Sequence, residues 1–229
     1  MIGSGAVSRH HFPAFRDRPD IFRLSAICEK NPSAASAFAA QFPYSTPIFA
    51  EFADLLDKAQ VDAALVVLPH NLHFPIASKL VAERIPVLVE KPLTCSLEEA
   101  RALKKLSRET GVPVVAGQML RFANDVIWLK EWVSKDPGNF GALRTFDIQS
   151  WQNILAYVNR HGGIKALAAR WESGRREGFQ TVPKPSEQQN SDNPFTNQLV
   201  HFAQALTQGK PLQNTVFENF NPLACIDAI

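Results

Sequence analysis

The segment Gly3-Ser4-Gly5-Ala6-Val7-Ser8 has the form G-x-G-x-x-S and is followed by a helical pattern. In a dinucleotide-binding turn of this kind, the first glycine allows a tight bend and the second allows the backbone to approach a pyrophosphate. The amino terminus of the following helix adds N–H donors and a favourable dipole. One glycine turn is weak evidence by itself, so the sequence around it has to support the interpretation.

An acidic residue stands where a dinucleotide site requires one. Glu29 closes a short apolar run, residues 24–28, at about the 20-residue offset of a ribose-binding acid. A carboxylate there can accept both ribose hydroxyls and repels a 2′-phosphate, which predicts NAD as the cofactor. Lys30 is adjacent and leaves NADP open. The alternative is that Glu29 is only a solvated acid at a strand end.

Short apolar runs alternate with helical patterns from residue 3 to about residue 121. Residues 61–68 (VDAALVVL) are almost continuously apolar, which is typical of a strand buried on both faces of a parallel sheet. The helices are delimited by local signals, namely Asn31 with Pro32, the capping-box spacing of Ser96 and Glu99, and the stop at Gly111. Residues 1–120 are therefore predicted to form an α/β domain with a doubly wound parallel sheet of the Rossmann type.

After residue 120 the pattern changes, and residues 121–229 predict a reduced α+β second domain. Residues 126–133 are typical of a helix, and residues 143–149 alternate like a strand with one solvated face. Residues 181–194 are polar and rich in proline, which predicts an exposed loop. An amphipathic helix follows that stops at Gly209, and its apolar stripe consists of Phe195, Leu199, Phe202 and Leu206.

The composition narrows the class of protein. The 229 residues carry a formal net charge of +2 and are 45% hydrophobic, which excludes intrinsic disorder. Charge is evenly spread, so neither half offers a basic surface for nucleic acid. No apolar run approaches the roughly 18 residues that would predict a membrane span, and no secretory leader is visible. Cys28, Cys95 and Cys225 are scattered and odd in number, which favours the reducing cytoplasm.

Ligands of an open α/β sheet bind at the carboxyl ends of its strands. Three such ends carry distinctive residues, PHNLH (69–73), EKP (90–92) and GQMLR (117–121). Pro92 disfavours helical backbone at Lys91, and a lysine held there beside a nicotinamide could exchange a proton with a substrate hydroxyl. The alternative is a surface lysine paired with a nearby acid. His70 and His73 lack the Cys or carboxylate that would complete a metal site, so no metal is expected.

The motifs GSGAVS, VDAALVVLPHNLHFPIA, VLVEKPLTCSLEEA and GQMLRF, together with Glu29, resemble those of the Gfo/Idh/MocA oxidoreductase family. The match runs in order from residue 3 to about residue 149, and Glu90-Lys91-Pro92 is its most specific element. The resemblance implies an NAD(P)-dependent oxidoreductase that transfers hydride between a nicotinamide and a sugar, polyol or related hydroxyl compound. Members of the family commonly associate, so a homo-oligomer is possible.

The resemblance also implies roles for single residues. Lys91 would assist proton transfer and would lie with Glu90 beside the nicotinamide, while Glu29 would hold the adenosine ribose. Arg121, counted among the cofactor-binding residues, begins the crossover into the second domain. The pyrophosphate would lie against Gly3, Gly5, Ala6 and Val7, with Ser4 in the same turn, and the nucleotide edge would be lined by Pro69, Asn71 and His73.

One family element is missing from this sequence. Family members carry a glycine-rich helix start in which an Asp is followed four residues later by a His, which bind substrate and transfer a proton. His161 has Tyr157 at that offset, and His201 has Asn197. Only 44 residues separate Gln149 from Pro194, and only Met1 and Ile2 precede Gly3, so we expect a shortened second domain and clipped chain ends. Because the Asp/His element is missing, two functional hypotheses stay open. The chain is either an oxidoreductase or a catalytically inactive dinucleotide-binding regulator, the latter including a truncated family member.

Overall fold

The structure is a computed structural model that describes residues 1–135 and 193–217. The predicted strand over residues 143–149, His161 and most of the predicted loop over residues 181–194 lie outside those ranges. The chain divides into one compact unit made of Met1–Trp128 with Gln188–Ile229 and a second made of Leu129–Glu187. A separate α+β domain beginning at residue 121 stays a prediction.

Helices and strands alternate in the first unit as the sequence predicts. The elements within the described residues are α1 (Ser8–Asp17), β1 (Ile27–Cys28), α2 (Pro32–Ala39), β2 (Ile48–Phe49), α3 (Phe52–Lys58), β3 (Ala64–Val66), α4 (His73–Ala82), β4 (Val87–Glu90), α5 (Leu97–Thr110), β5 (Val114–Gly117), α6 (Asn124–Lys135), which continues past the first unit, and α7 (Pro194–Gln208). Short 3-10 turns cover His70–Leu72 and Met119–Phe122.

The strands pair in parallel, and the segment before the glycine turn lies between two of them. β1 pairs with β2, and β4 lies between β3 and β5. Ile2 joins the two sets, because it forms parallel bridges to Cys28 of β1 and to Val66 of β3. The resulting order is β2, β1, Ile2, β3, β4, β5. This is the strand order of a doubly wound nucleotide-binding sheet, with Ile2 at the position of its first strand.

Both faces of the sheet are covered, because successive side chains of a strand point to opposite sides. Val66, Val87 and Val89 enter one apolar cluster with α4 and α5, and Leu65 and Leu88 enter a second with α1, α2 and α7. The continuous apolar run over residues 61–68 is explained by this double burial. Only Ala64–Val66 of this run forms a strand, which is shorter than predicted. The reason is that pairing with β4 begins at Ala64, opposite Val87.

Helix α7 belongs to the Rossmann unit although it is remote in sequence. It packs on α1 and on the turn Met119–Phe122, and its Leu199 and Phe202 are buried. The chain after it hydrogen-bonds along the outer edge of β5, since the Val216 N–H donates to the Val114 carbonyl and the Ala116 N–H donates to the Asn214 carbonyl. The helix begins at Pro194 with Asn193 as its cap, so the predicted loop ends one residue early.

The predicted helix ends are confirmed where a local signal marked them. The Asn31 side chain accepts hydrogen bonds from the N–H groups of Ser33 and Ala34, and Gly111 adopts the left-handed conformation after α5. Ser96 accepts from the Glu99 N–H, but the Glu99 carboxylate bonds the Cys95 N–H, one residue earlier than in a regular capping box. Within residues 1–135 and 193–217, no helix is long and apolar enough to cross a membrane.

Candidate functional site

The predicted site residues follow strands that all run in one direction. The glycine turn follows Ile2, Glu29 follows β1, Pro69 comes shortly after β3, Glu90 ends β4, and Arg121 lies in the turn after β5. Since the carboxyl ends of parallel strands meet at one edge of a sheet, these residues lie along one edge of the Rossmann unit.

The two glycines of the turn have different surroundings. Gly3 has a φ of +90°, and a methyl group there would overlap the Val67 carbonyl oxygen, so another side chain would collide with the backbone just after β3. A methyl group at Gly5 would meet no described atom within 4 Å. Gly5, Ala6 and Val7 are exposed. The turn therefore leaves open space in front of the amino terminus of α1, as an approaching pyrophosphate requires.

Glu29 is hydrogen-bonded to the glycine turn. Its Oε2 accepts hydrogen bonds from the Ser4 N–H at 2.8 Å and the Ser4 hydroxyl at 3.1 Å, and its Oε1 accepts from the Asn31 N–H at 2.9 Å. Burial acts to raise the pKa of Glu29, but the hydrogen bonds from Asn31 and Ser4 outweigh it and hold the pKa below its ordinary value. The side chain is therefore an ionised, oriented acceptor on the side of the turn where a ribose would lie.

Lys91 is exposed at the carboxyl edge, and its neighbour Glu90 is buried. The Lys91 N–H donates to Glu90 Oε2 at 3.2 Å. The other carboxylate oxygen, Oε1, is 2.7 Å from Nε2 of His11 on α1, and the His11 side chain is fully buried. A methyl group at Gly117 would come within 2.9 Å of the Glu90 Cα, so β5 packs directly on this residue.

The other predicted residues fall into an exposed group and a buried one. Pro69, Asn71 and Arg121 are exposed along the edge. His73 is fully buried, with Nδ1 at 2.6 Å from the Pro92 carbonyl oxygen and Nε2 at 2.9 Å from the Leu68 carbonyl oxygen. A role for His73 at the nucleotide edge, which stays a prediction, would have to act through the backbone that the imidazole contacts.

Sequence reasoning missed the contact between His11 and Glu90. The prediction that His10 and His11 point to different sides of α1 is confirmed, since His10 is exposed and His11 is buried. The available signal was the helical spacing of Ser8, His11 and Ala14, which form the buried face of α1. That spacing predicts burial, but it does not reveal a carboxylate partner on a strand far along the chain.

Asn197 and His201, which occupy the spacing of the missing Asp and His, are both engaged in contacts within the Rossmann unit. Asn197 donates to the Phe122 carbonyl at 3.0 Å, and His201 Nε2 accepts from the Gln213 N–H at 3.2 Å. The His201 ring packs 5.2 Å from that of Phe122. Among the described residues there is no group of three or more His, Cys, Asp or Glu side chains suited to a metal ion.

A doubly wound sheet with a glycine turn and an oriented strand-end carboxylate at its carboxyl edge defines a dinucleotide-binding Rossmann domain. The sequence model of the Gfo/Idh/MocA family, described as "Oxidoreductase family, NAD-binding Rossmann fold", matches residues 1–118. The chain belongs to this family, as the motifs predicted.

Individual relatives support the same assignment. The chain is 29% identical over 144 residues to an inositol 2-dehydrogenase of Corynebacterium glutamicum, covering 62% of this chain and 42% of the relative. It is 26% identical over 184 residues to an uncharacterized protein of Saccharomyces cerevisiae, covering 73% and 52%. The WlbA dehydrogenase of Bordetella pertussis, solved with NADH and UDP-GlcNAcA, is similar with a TM-score of 0.54 and 25% identity, over 59% of this chain and 41% of that one. The chain thus spans about half the length of these proteins or less.

Proposed function

We propose that this protein is an NAD-dependent oxidoreductase that transfers hydride between the nicotinamide and a hydroxyl group of a sugar, polyol or related compound. The observation that carries the proposal is the hydrogen-bonded Glu29 carboxylate beside the open glycine turn, on the edge where Lys91 is exposed. The names of the similar proteins, an inositol 2-dehydrogenase and a dehydrogenase solved with NADH and a UDP-sugar, support this chemistry.

The described residues fit a dinucleotide. Gly5 leaves the space that a pyrophosphate would enter, and the positive end of the α1 dipole faces that space. Glu29 would accept the two hydroxyls of the adenosine ribose, and its negative charge disfavours the 2′-phosphate of NADP. NAD, when bound, supplies the carbon that accepts or donates the hydride.

Lys91 is proposed to move the proton that accompanies hydride transfer. When the substrate hydroxyl is oxidised, hydride leaves its carbon and the hydroxyl proton has to be taken up by a base within hydrogen-bond reach. Lys91 is exposed at the carboxyl edge, and its backbone N–H is bonded to the buried Glu90 carboxylate. Pro69, Asn71, Glu90 and Arg121 are proposed to border the same cofactor, and His73 is proposed to act on that edge only through the backbone that its buried imidazole contacts.

We further propose that residues 121–229 contribute the substrate-binding part of the protein and that copies of the chain associate into a homo-oligomer. We also propose a cytoplasmic location, which is supported by two free thiols, buried Cys28 and exposed Cys95. Nucleic acid and membranes are not proposed as partners, because charge in the sequence is balanced at +2.

A second candidate function is that of a regulator that binds the dinucleotide without turnover. The observation that favours it is the packing of Asn197 and His201 against the turn Met119–Phe122, which engages both side chains in structural contacts. Asn197 and His201 would then not take over the substrate-binding and proton-transferring roles of the family's Asp and His.

Titration of NADH, followed by its fluorescence, tests the part that both functions share. Saturable binding is expected, and its absence would contradict both. Turnover of inositols and UDP-N-acetylated sugars then separates them, with Lys91→Ala expected to lower kcat by about 10²- to 10⁴-fold, the usual contribution of a general acid or base. Lys79→Ala on the exposed side of α4 is the matched control. Full activity in Lys91→Ala would show that another group moves the proton.

A further inference from the structure

Two buried histidines contact the residues on either side of Lys91. We call Glu90, Lys91 and Pro92 the EKP turn. His11 from α1 contacts the Glu90 carboxylate at 2.7 Å, and His73 from α4 contacts the Pro92 carbonyl at 2.6 Å. Both imidazoles are fully buried, whereas Lys91 between the contacted residues is exposed.

The contact from His11 is transmitted to the backbone of Lys91. Glu90 uses one carboxylate oxygen for His11 Nε2 and the other for the Lys91 N–H, so the carboxylate bridges the two. Gly117 of β5 packs on the Glu90 backbone from the neighbouring strand. Rotation of Glu90 away from His11 would therefore release the amide of Lys91.

The contact from His73 joins two loops of the edge. Its Nδ1 faces the Pro92 carbonyl, and its Nε2 faces the Leu68 carbonyl just after β3. Because its two nitrogens face carbonyl oxygens of both segments, the imidazole lies between the EKP turn and the loop that begins at Pro69.

We propose that His11 and His73 are positioning residues that hold the EKP turn from two sides and so set where Lys91 stands relative to the nicotinamide. The proposal rests on the proposed function of Lys91. It assigns no contact with cofactor or substrate to either histidine, and it requires a different nitrogen of each ring, Nε2 in His11 and Nδ1 in His73.

That difference allows a crossed set of four variants. A Gln amide nitrogen stands near the position of a histidine Nε2, and an Asn amide nitrogen stands near that of Nδ1. His11→Gln and His73→Asn should therefore keep the bond to the EKP turn, and His11→Asn and His73→Gln should lose it. Loss of side-chain volume alone would make Asn the more disruptive change at both positions.

The readouts are the Kd for NADH and the rate at which Lys91 is acylated by a water-soluble succinimidyl ester, measured by peptide mass spectrometry with and without NADH. Wild-type protein should bind NADH and be protected at Lys91. His11→Gln and His73→Asn should retain that protection within about threefold, while His11→Asn and His73→Gln should lose it, because Lys91 would no longer be held beside the bound cofactor. With a turned-over substrate, His11→Asn and His73→Gln should lower kcat with KM nearly unchanged, because a displacement of about 1 Å can cost roughly 100-fold in a positioned reaction.

The outcomes separate the two proposals. Wild-type protein that fails to bind NADH would overturn the proposed function and this inference with it. A different result would overturn the positioning role alone. In it, wild-type protein binds NADH and is protected at Lys91, but Asn is more disruptive than Gln at both positions.

If a variant does not melt cooperatively, the tautomers are measured in wild-type protein by long-range ¹⁵N–¹H NMR. A proton on Nε2 of His11 and on Nδ1 of His73 is expected. Its absence from either nitrogen would overturn the proposal.

Discussion

Gly3 and Gly5 offer a matched pair for separating folding from cofactor binding. Gly3→Ala should destabilise the protein by about 2 kcal/mol or more, because it combines a positive φ with a collision against the Val67 carbonyl. Gly5→Ala should leave the free energy of unfolding nearly unchanged but weaken NADH binding by about tenfold or more, since the methyl group enters the open space of the turn. Urea denaturation and NADH titration of both variants check this. Equal effects of the two substitutions on stability would contradict it.

Glu29 should decide between the two nicotinamide cofactors. Wild-type protein is expected to bind NADH more tightly than NADPH, and Glu29→Gln should weaken NADH binding by about tenfold while reducing or reversing the preference. The reason is that the amide loses the charge that repels a 2′-phosphate and can no longer accept through both oxygens. Paired titrations with NADH and NADPH measure the ratio. Lys30→Ala removes the exposed cation next to Glu29, so it shows how much Lys30 contributes to the ratio of NADH to NADPH binding.

His10 and Glu29 should each contribute to the pH dependence of stability. Partial desolvation, followed by the charges of Arg9 and His11, lowers the pKa of His10 below its ordinary value of 6.5, and hydrogen bonds lower that of Glu29 below its ordinary 4.5. In both cases the unfolded chain takes up the proton first as pH falls. The contribution of His10 to stability should therefore be lost as pH falls below 6.5, and that of Glu29 as pH falls below 4.5.

Urea midpoints measured across this range test the assignment. His10→Gln should flatten the upper part of the curve and Glu29→Gln the lower part. A curve that is unchanged in both variants would show that other groups dominate the acid response.

At the scale of elements, the start of α5 depends on the Ser96 hydroxyl. Ser96→Ala should lower the free energy of unfolding by about 1 kcal/mol, because the Glu99 N–H loses its acceptor. Arg101→Ala, at an exposed position of the same helix, is the control and should stay within about 0.5 kcal/mol of wild type. Chemical denaturation of both variants measures the difference, and a loss as small as the control's would exclude a capping role.

Elements with a nearby cap or glycine were predicted well because their signals are local. Asn31 and Gly111 act on the backbone within a few residues of themselves. The lengths of the strands were not predictable in the same way. The apolar run at residues 61–68 pairs only where β4 lies beside it, and β4 is separated from it by a helix.

For the molecule as a whole, α7 is expected to be part of the cooperative Rossmann unit. Phe202→Ala should destabilise the protein by about 3–5 kcal/mol, since its buried ring joins the cluster that contains Leu65 and Leu88. The exposed Gln208→Ala on the same helix should have little effect. Thermal melts monitored by circular dichroism test this, and the sheet and α7 should unfold together. A separate early transition in wild-type protein would contradict the expectation.

The sequence alone determined the class of this protein, because glycine turns, strand-end acids and apolar periodicity act through neighbouring residues. Its motifs predicted the Rossmann sheet, the glycine turn, Glu29 and the family to which the chain belongs. Only the tertiary structure decided the surroundings of Lys91. The contact between His11 and Glu90 joins residues 79 positions apart, and His73 faces carbonyls from two separate loops. Such partners are chosen by how helices pack on a sheet, and no spacing within the chain encodes that choice.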